Sequence, residues 1–89
     1  MTDQKDPPVV TLYSLPYCPD CRDVRRFLTQ RAIPFTEIDL ARTPGAVIEM
    51  LGRNGGRRSA PTVCIGPHVL VDPELTRLDA ILKSYWSRV

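Results

Sequence analysis

The chain is 89 residues long, 43% hydrophobic and 25% charged, with a formal net charge of +2. Those values describe one small globular domain with a modest core, and the charge is too slight for nucleic acid to be the main partner. No apolar run approaches the ~18–20 residues a membrane span needs, and the polar start Met1-Thr2-Asp3-Gln4-Lys5-Asp6-Pro7-Pro8 holds no signal-like stretch, so neither membrane association nor export is expected.

Residues 1–8 read as a flexible tail ahead of a domain over 9–89. The first strand is Val9 to Ser14, rich in β-branched residues and ended by Leu15-Pro16. A helix follows from Pro19 to Arg31, with proline suited to its first position and Val24, Phe27, Leu28 and Arg31 on one face. Ile33-Pro34 breaks it. Phe35 to Leu40 alternates apolar and polar, which predicts a second strand with one buried face. Thr43-Pro44 reads as a cap and first helical residue, and Val47, Ile48 and Leu51 as the stripe of a short helix stopped near Asn54-Gly55-Gly56.

Thr62 to Ile65 and His68 to Val71 are short strands around a Gly66-Pro67 turn, which makes them an antiparallel hairpin. Asp72-Pro73 repeats the cap-plus-proline signal for a last helix with Leu75, Leu78, Leu82 and Tyr85 inward and Ile81 and Trp86 beside them. The order β-α-β-α-β-β-α requires a parallel crossover between the first two strands. An α/β fold follows, a four-stranded mixed sheet flanked by helices on both faces.

Cys18-Pro19-Asp20-Cys21 stands where the first strand turns into the first helix. A cysteine there meets the unpaired N–H groups of the first helical turn and the positive end of the helix dipole. Both favour thiolate, the nucleophile of disulfide exchange, and lower the pKa from the ~8.5 of a free thiol. Asp20 and Asp23 oppose this as like charges, although both also suit the first turn of any helix. Cys18 is expected to be the exposed nucleophile and Cys21, one turn on and more buried, its partner.

Three cysteines are too few for a secreted disulfide scaffold, and without an export signal the cytoplasm is the expected location. Cys64, inside a strand, reads as an inert core thiol, and His68 as a surface residue at a strand end. A zinc module built on Cys18, Cys21, Cys64 and His68 is one alternative. A non-enzymatic redox regulator on the same fold is another.

The segment Val10-Thr11-Leu12-Tyr13-Ser14-Leu15-Pro16-Tyr17-Cys18-Pro19-Asp20-Cys21 resembles the active-site segment of the glutaredoxins, and Gly55-Gly56-Arg57-Arg58-Ser59-Ala60-Pro61-Thr62-Val63 resembles that family's segment ending in a cis-proline. The resemblance covers about residues 9 to 85 and implies a thioredoxin fold. It implies a dithiol oxidoreductase that reduces protein disulfides or mixed disulfides of small thiols, and that works as a monomer without a bound cofactor or metal. It places attack on Cys18, resolution on Cys21, and backbone pairing with the substrate at Ala60-Pro61. Electrons would come from a low-molecular-weight thiol such as glutathione or mycothiol, or from thioredoxin reductase.

Leu15 stands where many glutaredoxins carry lysine, and Leu70-Val71-Asp72-Pro73-Glu74 departs from their usual glutathione-binding turn; the stretch from Asn54 to Val63, with Asp72-Pro73, is closer to the mycoredoxins. The expected substrate contacts are Tyr17, Pro19, Asp20, Arg57, Arg58, Ala60, Pro61 and Asp72. Tyr17 is expected beside the sulfur or as a half-exposed loop aromatic, Arg57 and Arg58 as carboxylate holders, and Asp72 first of all as a helix cap. Arginines gather at Arg22, Arg25 and Arg26 and at Arg53, Arg57 and Arg58, as solvated faces or as a grip on a carboxylate-bearing substrate.

Overall fold

A computed structural model describes residues 9–56 and 59–86. The proposed tail at residues 1–8 and the two arginines Arg57 and Arg58 lie outside the described residues.

The described elements are β1 (Val10–Ser14), α1 (Pro19–Gln30), β2 (Thr36–Asp39), α2 (Ala46–Asn54), β3 (Thr62–Ile65), β4 (His68–Val71) and α3 (Leu75–Trp86). They form a four-stranded sheet in the order β2-β1-β3-β4. β1 pairs with β2 in parallel and with β3 antiparallel, and β3 and β4 make the expected hairpin. All five residues of β1 are buried, as its interior position demands.

Alternation along the strands sorts the core into two clusters of unequal size. Val10, Leu12, Val63 and Ile65 face α1 and α3, where Val24, Phe27, Leu28, Leu78 and Leu82 complete the larger cluster. Tyr13 and Cys64 face the other way, onto Met50 of α2. Arg31 lies over the Phe27 ring, 3.9 Å from its centroid, and pairs with Asp79 of α3 at 3.4 Å. Ile81 and Tyr85 pack partly against the larger cluster; the Trp86 side chain lies outside the described part of the structure.

Several expectations are corrected. Helix α1 ends at Gln30, one residue short of the expected end, and Arg31 is its exposed C-cap. Strand β2 sends Phe35, just before it, to the larger cluster but Ile38 and Leu40 to the smaller, so both its faces are partly covered. Helix α2 starts after Gly45, whose left-handed φ of 83° replaces the Thr43-Pro44 cap. It buries Ala46, Met50 and Asn54, while Ile48 is 76% exposed.

Another correction concerns Asp72, which does not cap α3. Its φ is 51°, and two residues separate it from the helix at Leu75. Its N–H donates to the Pro61 carbonyl at 2.7 Å, which closes the hairpin instead. Leu75, expected inward, is 40% exposed.

Candidate active site

Register brings four chain segments to one end of the sheet. Tyr13 pairs with Thr62, Thr62 with Val71, and Ser14 with Asp39. The loops that leave β1, β2 and β4 therefore emerge beside the segment that enters β3. Main-chain bonds tie them further: Leu40 N–H donates to the Ser14 carbonyl at 2.8 Å, and Asp72 N–H to that of Pro61. Open α/β sheets bind their ligands beyond the carboxyl ends of strands, and here those ends coincide with the loop that carries Cys18.

Cys18 is the N-cap of α1, with extended φ and ψ of −102° and 107°. Its Sγ accepts a hydrogen bond from the Cys21 N–H at 3.1 Å, so an orphan donor of the first turn is aimed at the sulfur as the sequence implies. Pro19 occupies the first turn, where its missing N–H costs nothing. Cys18 and Cys21 form a disulfide with their Cα atoms 5.2 Å apart, inside the ordinary range for such bonds. Cys18 is half-buried and Cys21 fully buried, so an incoming group reaches Cys18 first.

An open groove of about 390 Å³ runs beside Cys18. Leu15, Pro16, Tyr17 and Pro19 give it apolar walls, and Arg22 and Arg25 from α1 give it cations. Tyr17 has a left-handed φ of 63° and a side chain wholly exposed, so it shares the groove wall but packs on no neighbour. Asp20, expected here too, is exposed and outside the lining.

Arg25 is held in place from below. Its Nε donates to Glu37 Oε1 at 2.8 Å and its Nη2 to Oε2 at 2.5 Å, while Ser14 Oγ donates to the same Oε2 at 2.7 Å. Glu37 stands on β2 and Ser14 on β1, so the sheet itself orients this guanidinium. The Arg25 hydrogen bonds hold the Glu37 carboxyl below its usual range, against the opposing effect of burial. The sequence singled out the cluster of Arg22, Arg25 and Arg26 but not the carboxylate beneath it; a lone glutamate on a predicted strand gave no signal.

On the far side of the register, the Ala60-Pro61 peptide is cis, as the resemblance implies. Ala60 is half-buried and Pro61 buried. Thr62 Oγ1 donates to the Ser59 carbonyl at 2.8 Å and accepts from Asn54 Nδ2 at 3.4 Å, and Asn54 Oδ1 accepts from Gly56 N–H at 3.1 Å. The buried end of α2 thus fixes both sides of the segment that delivers Pro61. Asp72 borders a second groove, of about 450 Å³, with Asn54, Leu70, Glu74 and Arg77 among its lining.

Cys64 is 1% exposed, between Thr11 and Val69 in the sheet. Burial pushes its thiol pKa up. Beside it Arg53 Nη1 donates to the Tyr13 hydroxyl at 3.1 Å, and burial raises that phenol as well. Among the described residues no group of three His, Cys, Asp or Glu is placed to hold a metal ion, and no helix is long and apolar enough to cross a membrane.

A disulfide across the first turn of a helix, at the carboxyl end of this mixed sheet, defines a thiol–disulfide redox protein of thioredoxin fold. A family model for glutaredoxin matches residues 10–70, and the chain belongs to the glutaredoxin family. Glutaredoxin from Archaeoglobus fulgidus shares the fold with a TM-score of 0.76 at 21% identity, over 85% of this chain and 87% of that one. Glutaredoxin from Brucella melitensis is 30% identical with a TM-score of 0.65, over 88% of this chain and 85% of that one. The glutaredoxin-like NrdH-redoxin of Escherichia coli, described as having a thioredoxin-like activity profile, is 26% identical with a TM-score of 0.64, over 78% and 92% of the two chains. No curated protein matches by sequence.

Proposed function

We propose that the protein is a dithiol oxidoreductase in which Cys18 attacks substrate disulfides and Cys21 resolves the product. The observation that carries this is the asymmetry within one disulfide: a half-exposed Cys18 with a backbone donor on its sulfur, and a buried Cys21 one turn away. The Cys18 thiolate attacks one sulfur of the substrate; the substrate S–S bond breaks, and the leaving thiolate departs with the electron pair and takes a proton. The Cys21 thiolate then attacks the Cys18 sulfur of the mixed disulfide and expels the second substrate thiolate. Two electrons have passed to the substrate, and the protein holds the Cys18–Cys21 disulfide.

The substrates are protein disulfides or mixed disulfides of small thiols, met in the cytoplasm. Ala60-Pro61, Tyr17 and Pro19 border the incoming chain, with Asp20 and Asp72 at its edges, and the role proposed for Arg57 and Arg58 is to hold a substrate carboxylate. Two equivalents of a glutathione- or mycothiol-like thiol, or thioredoxin reductase, return the electrons. The thioredoxin-like profile of the E. coli redoxin supports the reductase route, and the family supports the thiol route.

The test is a pair of variants. Cys18→Ser abolishes disulfide reduction, and Cys21→Ser accumulates a mixed disulfide visible as added mass on the intact protein. Reduction by Cys18→Ser at a rate near that of the parent overturns the assignment.

A further inference from the structure

The groove beside Cys18 is chemically one-sided. Arg22 and Arg25 line it, and among the described residues no acidic one does. Asp20 and Asp23, from the same helix, are exposed outside the lining. The second groove carries the opposite balance, with Asp72 and Glu74 against Arg77.

Arg25 is preorganised to bind. A guanidinium has five N–H donors in a rigid plane; two of Arg25's go to Glu37, and the rest point away from it. Because the clamp already fixes the side chain, little rotamer freedom is lost when an anion docks. Arg22, three residues earlier and so on the same helix face, is exposed, and no ion pair among the described residues holds it.

We infer that Arg22 and Arg25 select disulfide partners that carry a carboxylate close to the sulfur that Cys18 attacks. This rests on Cys18 being the nucleophile. The exchange is the one already written, with electrons from the reduced protein. The arginines add no chemical step, only a charge-assisted contact to the bound partner.

The experiment uses the full chain, fully reduced and freed of reductant, so that no donor is needed. Its oxidation is followed by intact mass with three small disulfides: dithiodipropionate, which is anionic, hydroxyethyl disulfide, which is neutral, and cystamine, which is cationic. Each rate is divided by that of the same disulfide with dithiothreitol, which removes intrinsic reactivity. A second series uses peptide mixed disulfides with glutamate or glutamine beside the cysteine.

The anionic compound is expected to lead the neutral one by about fivefold, the upper range for an exposed ion pair, with cystamine slowest. Arg22→Ala shrinks the lead, Arg22→Ala with Arg25→Gln removes it, and Arg77→Ala, in the other groove, keeps it. A lead confined to small disulfides assigns the site to low-molecular-weight thiols, and one confined to peptides assigns it to proteins; either supports the inference. Equal normalised rates in both series overturn it, as does an undiminished lead in Arg22→Ala, which breaks no contact seen in the structure. Failure of the neutral disulfide to oxidise Cys18 at all instead defeats the nucleophile assignment, and this inference with it.

Discussion

Replacing Glu37 with glutamine keeps the shape of the side chain and removes the charge that clamps Arg25. Glu37 accepts from Arg25 Nε, Arg25 Nη2 and Ser14 Oγ. The Arg25 side chain is 40% exposed and that of Glu37 28%, so the pair belongs near the exposed end of the scale, at up to ~1 kcal/mol. The Ser14 bond survives in part, because glutamine still offers an oxygen. The expected loss is therefore about 1 kcal/mol at neutral pH.

For an 89-residue domain, with an unfolding entropy of about 0.19 kcal/mol/K, that lowers Tm by about 5 °C. The carboxyl of Glu37 titrates below its usual range, chiefly through the Arg25 hydrogen bonds. A carboxyl depressed by folding stabilises the fold fully above its unfolded pKa, near 4.3, and loses that contribution as pH falls through the lowered native value. Thermal melts of the oxidised parent and Glu37→Gln, followed by circular dichroism, should thus differ at neutral pH and converge below about pH 4. A gap that persists unchanged into acid, or none at neutral pH, refutes the reasoning. Added salt should narrow the neutral-pH gap, since both partners touch water.

Cys64 is buried and its thiol pushed up in pKa, so iodoacetamide should label the reduced native protein at Cys18 while Cys64 reacts only in denaturant; peptide mapping that finds Cys64 modified at a comparable native rate contradicts the core assignment. In α2, Met50→Ala should cost about 2 kcal/mol or more, whereas Ile48→Ser should stay within about 0.5 kcal/mol, because Met50 is 2% exposed and Ile48 76%. Equal losses in denaturant melts would mean that the helix is rotated from the orientation described.

The strands and the first helix were legible because their signals agree: β-branched runs, proline at the helix start, and a two-residue turn; the last helix was legible in its inward Leu78 and Leu82 but not in its start. Helix α2 was legible in place but not in phase. Its fully buried residues are Ala46, Met50 and Asn54, one small, one flexible and one polar; of the expected stripe, Leu51 packs partly against the smaller cluster and Val47 is half-buried, while Ile48 turns to solvent. Asn54 is inward because it bonds Thr62 and Gly56, a tertiary reason that no periodicity contains.

Asp72 shows the same limit from the other side. Aspartate before proline is a sound cap signal, yet a left-handed φ and a main-chain bond to Pro61 claim the residue for the hairpin. The CxxC site was readable because one helical turn is enough to define it. The clamp under Arg25 was not, since Ser14, Arg25 and Glu37 meet only when the sheet has formed.

The frame of the site is held by the main chain. Leu40 to Ser14 and Asp72 to Pro61 are N–H to carbonyl bonds, indifferent to which side chains those residues carry. Leu15, Tyr17 and Arg22 meanwhile face solvent or the groove. Scaffold and selectivity are therefore separable in this fold. A library that randomises those three positions should yield mostly folded proteins that differ in the disulfides they accept, which makes the rim of the groove beside Cys18 the natural place to begin redesigning this redoxin toward a chosen partner.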